Sequence, residues 1–405
     1  MPDPVAKAPH FVAHRPKEVV VNARAPYRIS TGAQDLEGTL KSIEGGWGVA
    51  TTATIDEFHR VQVKVRYPSK GGFIAKYHNA EENWPKAEKI RHDLFREALK
   101  RVLTPRKDRG GKIVDSDAVL GNIESLKKCD IEISSTGSMS SEEGTGLSSS
   151  SALTVAVLDA LYMARDGKRA PAEQLAQDAI AIDRRAALME AYRKLPPDED
   201  KVPPGTSDGV GRQDPYAIAY GGWNSFTFHA DGRTDVMHIG FTAEEGKRLD
   251  SMFVLIPTNV RGRTGTDLIT KQANSAKEKA DLAAKQREIS VRFRDALLEK
   301  NLDPELIGTL FDQGWQIKRQ LGDGITNPAI DKLYSLCKSA GMIGGRLVGA
   351  GGGGYLLAVV HSEKRDEFIQ NMAERGHQAL NIHITLEGST SWIEPSAQTY
   401  AESAL

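Results

Sequence analysis

The segment Gly144-Thr-Gly-Leu-Ser-Ser-Ser-Ser-Ala152 constrains this chain more than any other. Gly144 and Gly146 let the backbone approach a ligand closely. The serines open an apolar stretch, Ser148 to Ala164, in which Leu153, Val157, Leu158 and Leu161 recur at helical spacing. A helix starting there turns free backbone N–H groups and the positive end of its dipole toward the loop, an arrangement suited to phosphate. One serine in that place reads as an ordinary N-cap; four after two glycines, Ser148–Ser151, offer donors to an anion or a hydroxyl to Mg2+. No GxxxxGK[ST] string occurs, so a nucleotide would need a loop other than the Walker type.

With 405 residues the chain exceeds what a single core usually supports, and two domains with separate cores are expected. Residues 1–18, rich in Pro, His and Lys, read as a loose leader, 19–235 as an N-terminal domain and 245–395 as a C-terminal one, divided by a change of character at 232–245. Strands are expected at 19–30, 48–55, 61–65, 130–135, 223–228, 252–257, 355–360 and near 381–386. Helices are expected at 85–103, 148–164, 171–193, 265–299, 303–320, 327–340 and 363–375. The mixture makes the fold class α/β (α+β). Residues 195–205, charged and proline-rich, form a loop. Fifty-three basic against 54 acidic residues leave a net charge of -1, which offers no general attraction to nucleic acid or an anionic membrane. The first ten residues lack an apolar export core, no run approaches a membrane span, and the two cysteines lack disulfide or zinc spacing; a cytoplasmic location fits best.

Three further segments carry chemistry. Gly349-Ala-Gly-Gly-Gly-Gly354 matches GxGxxG, but the strand-like Tyr355–Val360 follows where a dinucleotide fold needs a helix, which speaks against a nicotinamide oxidoreductase. Its glycines read instead as a loop closing over a nucleotide or catalytic site. Gly205-Thr-Ser-Asp-Gly209 matches the nucleophile elbow of hydrolases without the apolar strand that elbow stands on. Asp214, on a small-residue loop before an apolar segment, can take a proton from a hydroxyl, although an Asp before Pro is commonly a turn former.

In order along the chain, Ala25–Ser30, 141–152 and Gly344–Gly354 resemble the motifs of the GHMP kinases. Thr52–Asp56, Gln213–Gly222, Gly324–Tyr334 and Glu387–Ser389 are most similar to the bacterial heptose phosphate kinases of that family, with L-fucose and galactose kinases sharing less. The resemblance implies an N-terminal half like ribosomal protein S5 domain 2, a ferredoxin-like C-terminal half, and ATP and sugar between them. It implies an ATP-dependent, Mg2+-assisted sugar kinase, with a non-catalytic ligand-sensing relative as the alternative of another class. ATP phosphates would lie on Gly144, Thr145, Gly146, Leu147, Ser148, Ser149, Ser150 and Ser151. Ser150 and Asp183 would hold the metal, Asp214 would be the base, and Arg28 would lie beside the reacting hydroxyl. Asp35, Gly351 and Gly352 would bind the sugar. Arg24, Lys41, Arg261 and Arg263 are candidates for a basic pocket if the acceptor already carries phosphate, and each also reads as a solvated charge. Ser148 stands where the family usually has glycine, which is tolerable if its φ is negative. The family's acceptors leave open heptose 7-phosphate, a free heptose, L-fucose or another hexose; the anomeric position is the expected site by resemblance. Residues 195–206 could act as a lid. Oligomeric state is not legible.

Overall fold

The computed structural model describes residues 18–395 apart from 33–34, 68, 70, 78–79, 109, 139–145, 195–209 and 261–276. The expected leader up to residue 17, the lid segment 195–206, the elbow-like 205–209, Gly144, Thr145, Arg261 and Arg263 thus lie outside the described residues.

In the first half, β1 (Glu18–Ser30) runs antiparallel to β2 (Trp47–Arg66) along its whole length. Two strands were to be expected over 48–65, because the polar Asp56-Glu57 breaks the alternation. The structure has one strand of 20 residues. Its register against β1 shifts between Pro26 and Tyr27, whose partners are Phe58 and Ile55, so Asp56 and Glu57 are accommodated as a bulge. The helix α1 (Glu37–Ser42) lies between these strands in sequence. Next come β3 (Gly72–Tyr77) and β4 (Ala80–Trp84), then α2 (Asp93–Val102), α3 (Asp117–Leu126) and β5 (Asp130–Gly137).

The helix foreseen from the serines is α4 (Ser149–Asp166), followed by α5 (Ala172–Arg193) and the short α6 (Gln213–Tyr220). From Ser151 to Tyr162 every residue of α4 is buried, because β1 and β2 cover one side and α2, α5 and α6 pack around the rest. The sheet continues through β6 (Trp223–His229), which pairs with the first half of β2, and β7 (Thr234–His238).

The second half begins with α7 (Ala243–Met252), β8 (Phe253–Pro257), α8 (Ala280–Leu298), α9 (Pro304–Lys318) and α10 (Pro328–Ala340). It continues with β9 (Gly344–Leu347), β10 (Tyr355–Val359), α11 (Arg365–Glu374), β11 (Leu380–Asn381) and β12 (Thr390–Ile393). Gly344–Leu347, expected as part of a glycine loop, is a strand. Strands β11, β8, β10 and β9 form a second, antiparallel sheet in that order.

Side chains alternate across this second sheet as the pleat requires. Phe253, Leu255, Leu357 and Val359 join the apolar cluster of the first half, while Val254, Ile256, Leu356 and Ala358 pack with Trp315, Leu333 and Phe368. Two apolar clusters are therefore present, but the line between them is not the sequence boundary: one runs from the first sheet to the near face of the second, and the other packs on its far face. Trp223 touches Phe241, Phe253 and Phe293, and Phe311 continues the aromatic chain. These packed rings join the two halves of the described chain.

One strand recrosses this division. β12 pairs antiparallel with β1, at Val21 with Ile393 through Arg24 with Thr390, so the last described strand completes the first sheet. The fully buried Asp159 of α4 accepts hydrogen bonds from Ser389 and Ser391 at 2.7 Å each and fixes the returning segment. Among the described residues, no helix is long and apolar enough to cross a membrane.

Candidate active site

The phosphate loop and the glycine segment meet back to back. Gly146 has φ 74°, and a Cβ there would lie 2.4 Å from the carbonyl oxygen of Val348. Gly349, with φ 74°, faces Gly146 with an equal lack of room. Only two bare backbones can cross at that separation. This crossing ties the start of α4 to the turn between β9 and β10, and Gly349 and Ala350 line the cavity beyond it. Gly351 and Gly352 do not: Gly351 packs on Ile325, and the Gly352 N–H donates to the Ile325 carbonyl at 2.8 Å. The strand after Gly354 confirms that this glycine run is not a dinucleotide loop.

Ser148 departs from expectation. Its φ is 65°, in the left-handed region, where an L side chain costs roughly 1–2 kcal/mol. Its hydroxyl is buried and has no hydrogen-bond partner among the described residues. The backbone needs that turn to bring Ser149 and Ser150 into the exposed first turn of α4, and glycine would make it without strain. Ser148→Gly is therefore expected to stabilise the protein by about 1 kcal/mol, visible as a higher urea midpoint with an unchanged slope. A lower midpoint would mean that the hydroxyl has a partner.

Arg28 connects the loop to Asp214. It extends from β1 with 1% of its surface exposed; its Nε donates to Asp214 Oδ1 at 2.8 Å and its Nη1 to the Gly146 carbonyl at 2.9 Å. Asp214 lies in the first turn of α6, not on the loop expected from its small neighbours. Pro215 is tolerated there because the first turn has no N–H bond to lose. Beside it, Gln213 accepts from the Ser30 hydroxyl at 2.8 Å through its side chain and donates to Asp35 at 2.9 Å through its backbone. Asp35 is 3% exposed, and burial raises its pKa against the opposing pull of the Gln213 N–H. Arg28, Asp35 and Asp214 thus line one cavity.

Asp183 sits where α5 passes α4, but its hydroxyl donors differ from expectation. Ser151 and Thr154 each donate to it at 2.8 Å, whereas Ser150, one position earlier on the helix, is exposed. A step of one residue turns a side chain by about 100° around a helix axis, which separates the two serines. Burial pushes the Asp183 carboxyl up to about 6. Hydroxyl and carboxylate oxygens are the donor set a hard cation prefers, and Mg2+ needs few of them when phosphates and water complete its shell. Ser150 and Asp183 are donors of that kind, but among the described residues Asp183 accepts from Ser151 and Thr154 and not from Ser150.

Sequence reasoning missed the cavity's opposite wall: Lys318 of α9, Arg346 of β9 and Gln286 of α8. Lys318 and Arg346 are 7% and 2% exposed. Burial, with Arg346 and Arg28 nearby, holds the Lys318 ammonium well below its ordinary pKa, and burial beside Arg28 brings Arg346 down to about 9. A usable signal existed. Ile307, Phe311, Gly314 and Lys318 share one helical stripe, as do Ala283, Gln286, Ser290 and Phe293; a polar residue on an apolar stripe is buried with it. The cations nominated from sequence lie elsewhere: Arg24 pairs with Glu387 and covers the Phe58 ring, and Lys41 pairs with Glu37.

The model of the GHMP kinases N terminal domain matches residues 115–191, and that of the GHMP kinases C terminal matches 293–378. A D-glycero-alpha-D-manno-heptose 7-phosphate kinase from Campylobacter jejuni is 23% identical over 184 residues, 45% of this chain. The bifunctional fucokinase/GDP-fucose pyrophosphorylase of Arabidopsis thaliana is 28% identical over 97 residues, 24% of this chain. The match spans 53% of the length of the first relative and 9% of the second. Among solved structures, a D-glycero-D-manno-heptose 1-phosphate kinase from Bacteroides thetaiotaomicron superposes with TM-score 0.63 at 16% identity, covering 93% of this chain and 100% of that one. Lactococcus lactis galactokinase, solved with galactose, gives 0.63 at 16% identity, covering 92% and 95%. These likenesses establish the fold.

Proposed function

We propose, from the premise that this chain belongs to the GHMP kinases, that it transfers the γ-phosphoryl group of ATP to a sugar hydroxyl, the anomeric hydroxyl of a heptose 7-phosphate or a related sugar. The observation that carries this reading is Arg28, which holds Asp214 and the carbonyl of the phosphate loop at once, in a cavity shared with Asp35.

ATP phosphates lie along 144–151, where backbone N–H groups at the start of α4 receive them. Asp35 accepts sugar hydroxyls and orients the ring. Asp214 takes the proton of the attacking hydroxyl as its oxygen bonds to the γ-phosphorus and the bond to the ADP oxygen breaks. Arg28 fixes that carboxylate and places positive charge beside the moving phosphoryl group. Ser150 and Asp183 would hold Mg2+, which when bound neutralises phosphate charge. Positioning is the main demand of phosphoryl transfer, and the buried Arg28 meets it by holding Asp214 and the Gly146 carbonyl together.

ADP release by the purified protein with ATP, Mg2+ and, in turn, heptose 7-phosphate, free heptose, L-fucose and galactose tests the reading. Phosphorus NMR of the product locates the new ester. Turnover with one of these sugars and a C1 phosphate are expected. Binding of ATP and sugar without ADP release would overturn the assignment in favour of a sensing protein.

A further inference from the structure

The cavity wall formed by Arg346, Lys318 and Gln286 is charged and unpaired. The Arg28 cation is offset by Asp214, and Asp35 is held by a backbone N–H. Among the described residues, neither Arg346 nor Lys318 forms an ion pair. Arg346 donates to the carbonyls of Thr31 and Leu347, and Lys318 to those of Leu347 and Gly349. Carbonyl oxygens satisfy donors but do not cancel charge, and Asp214 and Asp35 act on Lys318 without pairing with it, so burying the two cations is costly. Between them stands Gln286, 2% exposed, with neither amide atom hydrogen-bonded among the described residues. A buried amide left in that state indicates a missing partner.

The backbone is shaped to let these side chains approach closely. A Cβ on Gly32, where φ is 116°, would fall 2.2 Å from Arg346 Nη1 and 2.9 Å from Gln286 Nε2. Gly314 presents its bare face to the same amide at 3.2 Å. The corner adjoins Thr31 and Gly32 through Arg346, and the Gly146–Gly349 crossing through Lys318, which donates to the Gly349 carbonyl.

We propose that Arg346, Lys318 and Gln286 form a subsite for a phosphate monoester already present on the acceptor. The assignment rests on the sugar kinase reading above and adds the residues that select the substrate. Two cations match a dianion, and the amide N–H supplies a third donor. The lowered proton affinity of Lys318 in the free protein fits such a role, since an arriving dianion restores the charge.

Matched acceptors test it: heptose 7-phosphate against heptose, mannose 6-phosphate against mannose, and glucuronate as a carboxylate control. The phosphorylated member of each pair is expected to have a kcat/KM roughly 100-fold higher than the free sugar, from two or three charge-assisted bonds. Arg346→Gln is expected to cut that preference to roughly tenfold or less. Gln286→Glu, which places an anion in the corner at equal volume, gives the same result if Arg346→Gln does not fold. Inorganic phosphate should compete with the sugar and not with ATP. Equal use of both members of a pair, a preference for glucuronate, or equal losses on both acceptors in the variants would overturn the subsite and leave the kinase reading standing. If no acceptor is turned over, the kinase reading fails; calorimetric titration of wild type and Gln286→Glu with inorganic phosphate then decides the subsite alone, tight binding lost in the variant supporting it and unchanged binding overturning it.

Discussion

Asp214→Asn should lower kcat by roughly 10²–10⁴ while leaving the affinity for ATP within about twofold. The substitution is nearly isosteric, and its amide oxygen can still accept from Arg28 Nε, now 2.8 Å from the carboxylate. What disappears is the capacity to take the proton of the sugar hydroxyl. Single-turnover measurements with saturating ATP and sugar read that step directly, because they exclude product release. Thermal unfolding should move by no more than a few degrees, since Asp214 is partly exposed. A variant with near-normal single-turnover rates would remove Asp214 from the role of base.

Arg28→Met should differ in kind. The side chain length remains, but Asp214 loses its cation and the Gly146 carbonyl its donor. A fall in kcat of roughly 10²–10³ is expected from the lost positive charge at the transferring group. Because Arg28 is almost fully buried, the unpaired remainder should also destabilise the fold by about 3 kcal/mol. Urea unfolding and kinetics together separate the two effects. In the double variant with Asp214→Asn the losses in rate should not add, because the two residues act as one unit. Additive losses would show that Arg28 serves the phosphates independently of Asp214.

The parts of the site built by local rules were legible in the chain. Glycines followed by serines at the head of an apolar stretch mark the start of α4 because capping and dipole are short-range effects. Asp214 and Arg28 were named from motif resemblance, and their contact crosses 186 positions, a separation no periodicity encodes. Choosing Ser151 over Ser150 as the partner of Asp183 depends on the rotation of α4 against α5, which is a packing outcome. Arg346 and Lys318 were passed over because charged residues are mostly exposed. Among the elements, β4 escaped because Ala80-Glu-Glu-Asn-Trp84 is an exposed edge without alternation. The helix α7 also went unread, although its capping box Thr242–Glu245 lies at the expected boundary itself.

The returning strand β12 has a consequence for synthesis. Its pairing with β1 joins residues such as Asn22 and Glu394, 372 positions apart. At roughly 5–20 residues per second, a ribosome takes on the order of tens of seconds to supply the second of them after the first. During that interval the outer hydrogen-bonding edge of β1 has emerged without its partner, and Asp159 lacks the hydroxyls of Ser389 and Ser391. The first sheet therefore cannot close until almost the whole described chain has left the ribosome, and an interrupted polypeptide keeps an open strand edge that a holding chaperone can recognise.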